Sequence, residues 1–196
     1  MRIVVFESVT LDGVMQAPGR ADEDTRGGFT HGGWAAPYAD EMMGRQAAEG
    51  MATTEGILLG RRTYEDFYGF WPKQPENPFT EALNKLQKYV VSNTMTEPLP
   101  WQNSTLLQGD PAEAAATLKE QPGNDLLVLG SGALVRTLIE HDLVDRYVLL
   151  IHPLVLGSGR RLFAEGAPRT PLRLTDTTTN TKGVIIATYE VPREAG

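Results

Sequence analysis

Cysteine is absent from the 196 residues. That excludes a disulfide framework, a thiolate metal site and a cysteine nucleophile. Histidine is almost as scarce. His31, His141 and His152 are far apart and form no metal-ligand spacing, so a zinc site is not expected. Basic residues are outnumbered 18 to 25 by acidic ones, a formal charge of −7, so nucleic acid is not the expected main partner. Long apolar runs are missing too. The opening MRIVVFESVTLDG holds only a short apolar stretch before polar positions intervene, too little for a signal peptide or membrane span. The expectation is a cytoplasmic protein with no membrane partner.

What remains is ordinary globular composition, 41% hydrophobic and 22% charged, on a length that suits one domain spanning 1–196. Ile3 to Phe6 reads as a buried strand. Leu11 to Gly33, rich in Gly, Asp and Thr and without periodicity, reads as a loop long enough to be functional. The pattern then predicts a helix over Pro37–Gly50, a strand at Ile57–Leu59 and a helix at Thr63–Tyr68. A short helix at Phe79–Leu86 follows, then strands at Tyr89–Val91 and Ser104–Leu107. A helix at Ala112–Lys119 and a strand at Leu126–Leu129 come next. Leu134, Val135, Leu138 and Ile139 form one stripe of a further helix. Tyr147–Ile151 is a buried strand, and Leu172–Leu174 and Val184–Val191 are the last two. Helices alternating with strands imply an α/β fold with a mostly parallel sheet, and the closing pair implies antiparallel C-terminal strands. No repeat, low-complexity tract or linker interrupts the chain.

Two strand-to-helix turns carry the chemistry. In Leu58-Leu59-Gly60-Arg61-Arg62-Thr63-Tyr64 a strand runs through Gly and two Arg into a helix. Free N–H groups and a partial positive charge at a helix N-terminus hold phosphate, and arginine adds a forked donor. The alternative is that Thr63 caps the helix, with Asp66 completing a partial capping box. In Leu129-Gly130-Ser131-Gly132-Ala133-Leu134 the glycines let backbone approach a diphosphate. The alternative there is a tight turn with Ser131 as the N-cap. It is not a full dinucleotide fingerprint, since Val135 stands at the third glycine and Leu150 near the ribose-binding acid. Two such turns on one parallel sheet can address one crevice.

Gly60-Arg61-Arg62-Thr63-Tyr64-Glu65 resembles the Gly-Arg-x-Thr-aromatic-Glu turn of dihydrofolate reductases. Val4 to Gly13 resembles the opening of the reductase domain of the bifunctional riboflavin-biosynthesis deaminase–reductase. Val128 to Leu134, Leu143 to Tyr147 and Pro153 to Phe163 are similar to that domain's C-terminal half. The resemblance covers nearly the entire chain and implies a dihydrofolate reductase-like three-layer fold. It also implies an oxidoreductase in which NADPH delivers hydride to a pteridine-, pyrimidine- or other conjugated heterocycle. The alternative is a non-catalytic nucleotide-binding or sensing module of the same fold.

By position, the resemblance implies that Gly60, Arg61, Arg62 and Thr63 hold cofactor phosphate, and that Gly130, Ser131, Gly132, Ala133 and Leu134 form the diphosphate turn. Ser92 and Asn93 fall where the cofactor's 2′-phosphate is met. Asp12 and Gly13 fall on a loop over the nicotinamide. Asp40 is the nearest match to the proton-donating acid, so Asp12 and Asp40 are the candidate catalytic residues. Gly13, Trp34 and Arg160 are the candidate substrate contacts. A small-molecule substrate is implied, and a homodimer, since relatives pair through their sheets.

Overall fold

Strand β1, Arg2–Thr10, is the middle of the molecule, and its Ile3 and Val5 are fully buried. The structure is a computed structural model that describes residues 1–75 and 78–192. After β1 come α1 Glu41–Ala52, β2 Thr54–Gly60, α2 Arg61–Phe70, α3 Pro78–Lys85, β3 Gln87–Val91 and β4 Ser104–Leu107. They are followed by α4 Pro111–Glu120, β5 Asp125–Leu129, α5 Gly132–Glu140, β6 Arg146–His152, β7 Arg173–Thr179 and β8 Ile185–Glu190.

The strands form one eight-stranded sheet in the order β4-β3-β2-β5-β1-β6-β8-β7. β1 to β6 run parallel, and β8 pairs antiparallel with both β6 and β7. This is the expected α/β architecture with an antiparallel C-terminal edge. Alternation in β1 sends Ile3, Val5 and Val9 to one face, where they pack with Ala115 and Leu118 of α4 and Leu134, Val135 and Leu138 of α5. Val4 faces the other layer, with Met51 of α1, Tyr64 of α2 and Leu83 of α3. Burying each such large apolar side chain stabilises the fold by about 1.5–3 kcal/mol.

Among the boundaries that differ from the sequence pattern, three have a clear physical reason. The helix expected over Pro37–Gly50 is split into a 3₁₀ turn at Ala36–Tyr38 and α1, because Asp40 turns extended and caps a fresh start by accepting the Met43 N–H at 3.0 Å. β1 runs four residues beyond Phe6, because β6 pairs with it as far as Thr10 opposite His152. β7 extends through Asp176-Thr177-Thr178-Thr179, an exposed polar edge with no apolar signal to read. No helix among the described residues is long and apolar enough to cross a membrane.

Candidate cofactor site

β2 and β5 are neighbours, with Leu58 beside Val128, so Gly60 and Gly130 stand level at the sheet's C-terminal edge. From there the chain leaves in opposite directions. α2 packs on the face it shares with α1 and α3, whereas α5 packs with α4 on the other. A crevice at such a divergence is where open α/β sheets bind ligands.

The two turns are fastened together by side chains. The Ser131 hydroxyl accepts the Gly60 N–H at 3.0 Å, and Thr63 Oγ1 accepts the Ser131 N–H at 3.0 Å. This corrects the capping alternatives. Ser131 does stand at the N-cap of α5, but with φ +55° and no side-chain capping bond; the residue at the N-cap of α2 is Gly60, and Thr63 points across to the other turn. Asp66, the would-be partner of a capping box, is ion-paired instead with Arg20.

The helix starts differ in a way that bears on ligand binding. α1 and α4 are capped by Asp40 and Asp110. α2 and α5 receive no side-chain cap. The first-turn N–H groups of Arg61, Arg62 and Thr63, and of Gly132, Ala133 and Leu134, therefore stay available to an anion. Arg61 lies 3.3 Å from Glu65 in an exposed pair, and Arg62 is exposed with no ion pair among the described residues. Gly130 holds φ +57°, and a Cβ there would sit 3.1 Å from Thr63 Cγ2. A Cβ on Gly132 would sit 3.1 Å from Met15 Sδ, so the loop after β1 lies directly over the turn. The chemistry of this donor set, uncapped helix starts with arginines beside them, fits a diphosphate.

The candidate acids do not hold a proton. Asp12 Oδ1 accepts the Thr10 hydroxyl at 2.6 Å and the Leu156 N–H at 3.2 Å, and Oδ2 accepts the Gly157 N–H at 2.9 Å. Arg161 adds an ion pair at 3.4 Å. The Thr10 hydroxyl above all, then the backbone donors, lowers this carboxyl to about 2. Asp12 is thus a tether joining the β1 loop to the 153–161 loop. Asp40 accepts the N–H of Met43 and both the N–H and hydroxyl of Thr181, which also lower its carboxyl. It fastens α1 to the β7–β8 turn. With its carboxyl lowered, Asp40 is not placed as the proton donor it was expected to be, and both acids serve as structural anchors.

Other expected contacts are also occupied. Ser92 is buried and its hydroxyl oxygen accepts the N–H groups of Thr94 and Met95, at 3.2 and 3.1 Å. Asn93 exchanges hydrogen bonds with the backbone of Gly109. Both are committed to the strand exit. Trp34 is buried with Val14, Ala17 and Phe29, and its Nε1–H donates to Gln16 O at 2.8 Å, so it is a core residue. Gly13, at φ +80° with open space around it, serves the turn's conformation. Arg160 has an exposed side chain, while its backbone is held by Met15 N–H and Gln16 Oε1. A cavity of about 110 Å³ lined by Arg136, Ile139, Glu140 and Leu162 lies beside the C-terminal half of α5, at the far end of that helix from Gly132.

Two buried polar residues at this edge went unnoticed in the sequence. His152, fully buried, has its ring 5.1 Å from that of Trp34 and 5.6 Å from that of Tyr38, and Nδ1 is 2.9 Å from Leu150 O. Burial pushes its imidazole down, toward the neutral form. Glu7 is 4% exposed, on the same face of β1 as Ile3, Val5 and Val9. The signal for Glu7 was available: an acid at an inward position of an otherwise apolar alternation.

Comparison with known proteins agrees with this architecture. A family model described as the RibD C-terminal domain matches residues 2–186. The uncharacterized protein YyaP of Bacillus subtilis is 31% identical over 195 residues, covering 96% of this chain and 94% of that protein. Among solved structures, a pyrimidine reductase-like protein from Corynebacterium diphtheriae superposes with a TM-score of 0.67 at 14% identity, covering 98% of this chain and 92% of that one. Dihydrofolate reductase from Enterococcus faecalis, complexed with NADP(H), superposes with a TM-score of 0.61 at 12% identity, covering 98% and 97%. The fold is therefore dihydrofolate reductase-like.

Proposed function

We propose that this chain, which belongs to the RibD C-terminal domain family, is an NADPH-dependent reductase that delivers hydride to a conjugated heterocycle such as a pteridine or pyrimidine. One observation carries the cofactor part. Two helices that begin side by side at the sheet edge both lack side-chain caps, while Ser131 and Thr63 bind the two starts into one unit. Two free helix starts with adjacent Arg61 and Arg62 suit a ligand carrying several phosphate charges.

The nicotinamide, when bound, supplies the hydride. The chain's own residues bind and orient. The N–H groups of Gly132, Ala133 and Leu134 would receive one part of the diphosphate, and those of Arg61 to Thr63 another phosphate. Arg62, exposed and without an ion pair among the described residues, is the arginine most available to a phosphate. Met15, over Gly132, is placed to limit water at the turn. A small-molecule substrate is the proposed partner.

The fate of Asp12 and Asp40 favours one other reading, a nucleotide-binding module without catalysis, since neither acid retains a proton. One experiment separates the two. NADPH is titrated into the protein while tryptophan fluorescence is followed, and then its absorbance is followed with a panel of pterins and pyrimidines. Saturable binding with consumption supports the reductase. Binding without consumption across the panel supports the module. Absence of binding overturns both.

A further inference from the structure

The carboxyl group of Glu7 is a buried polar group that the proposed function leaves unused. β1 and β5 are in register with Phe6 beside Leu129, so Glu7 stands level with Gly130, the first residue of the diphosphate turn. Its side chain lies on the face from which α5 departs. Among the described residues, Glu7 Oε1 is buried without a hydrogen-bond partner. A buried acid with an unmet oxygen is costly unless it carries a proton and gains a partner on ligand binding.

The surroundings keep that proton in place. Burial, and after it the neighbouring Glu23, raise the Glu7 carboxyl well above the usual range, against a smaller opposing pull from the Gly130 N–H. Glu23, on the loop after β1, accepts the N–H groups of Gly19 and Arg20 at 2.7 and 3.0 Å. It is itself raised by burial, with Asp66 adding to the shift and Arg20 opposing it. A second acid thus lies near enough for its charge to disfavour ionisation of Glu7.

We infer, resting on the cofactor reading above, that Glu7 is a cofactor-binding residue. Its carboxyl O–H donates a hydrogen bond to an anionic oxygen of the dinucleotide held at the Gly130–Gly132 turn. As a carboxylate, Glu7 would repel that same oxygen. Affinity for NADPH therefore depends on the protonation of this side chain. Glutamine, which keeps a donor and carries no charge, replaces it without that dependence.

The test combines binding with a direct titration. NADPH affinity is measured by fluorescence across pH for wild type, Glu7→Gln and Glu7→Leu. Melting curves establish that each variant is folded. The ¹³C resonance of the Glu7 carboxyl, assigned by its loss in Glu7→Gln, is followed with pH in the free protein. Wild-type affinity should fall about tenfold per pH unit above the Glu7 titration. Glu7→Gln should flatten that slope, and Glu7→Leu should bind about tenfold or more weakly at low pH. A Glu7→Gln profile parallel to wild type, or a Glu7→Leu affinity equal to wild type, overturns this inference and leaves the cofactor reading intact. So does a Glu7 carboxyl that titrates in the ordinary range, whatever the cofactor does. If wild type binds no NADPH at any pH, the cofactor reading fails and this inference fails with it.

Discussion

The Ser131 N–H donates to Thr63 Oγ1 at 3.0 Å, tying two helix starts together through residues 68 apart in sequence. Together with the bond from Gly60 N–H to Ser131 Oγ, it makes two turns one object. Thr63→Val keeps the shape and removes the acceptor, leaving a part-buried N–H unmet. That should cost about 1–3 kcal/mol. NADPH binding should weaken with it, while Thr63→Ser stays close to wild type. Urea denaturation and a fluorescence titration of each variant check this.

The two glycines of the second turn should respond differently. Gly130 has φ +57° and backs onto the β-branched Thr63, which has little room to move. Gly130→Ala is expected to destabilise by about 1–2 kcal/mol from conformation alone. Gly132 faces the flexible end of Met15, which can give way. Gly132→Ala should leave stability within about 0.5 kcal/mol. Gly132→Asp sets a negative charge where the proposed cofactor's own would lie, so NADPH binding should fall by about tenfold or more. Denaturation midpoints and binding constants separate the two effects.

Arg61 and Arg62 are expected to serve the ligand and not the fold. The Arg61–Glu65 pair is exposed and contributes little to stability. Arg61→Ala and Arg62→Ala should each weaken NADPH binding about tenfold. Melting temperatures should barely change. Added salt should weaken wild-type binding more steeply than that of either variant.

Asp12 makes an acid-stability prediction. Its carboxyl is lowered to about 2 in the folded chain, from an ordinary 3.8. A lowered carboxyl contributes stability that is present above the ordinary value and lost as pH falls through the folded one. The loss attributable to Asp12 should therefore develop between about pH 4 and pH 2. Asp12→Asn should be less stable by about 1–3 kcal/mol at neutral pH, and its melting temperature should fall less steeply over that acid window. Thermal melts at a series of pH values test both statements.

Alternation and turn residues were enough to find most strands and helices and both strand-to-helix turns, because those are local properties. Ser104–Leu107, for example, is β4 at both ends. Side-chain roles set by distant partners were not legible. Thr63 and Ser131 each looked like a cap, since the β2–β5 adjacency that turns them toward one another is a property of the sheet. Asp12 looked like a catalytic acid because its principal backbone donors lie 144 and 145 residues away. Trp34 looked like a substrate contact, yet Gln16 and the loop fold over it. Glu7 was readable as an acid on an inward face. Only the register with β5 places it beside Gly130.

The most direct test of the cofactor site is a tryptophan-fluorescence titration of wild type and Gly132→Asp with NADPH. The account predicts saturable binding by wild type and a loss of about tenfold or more in the variant, with its melting curve intact. No saturable binding by wild type, or equal affinity in a folded Gly132→Asp, would contradict it.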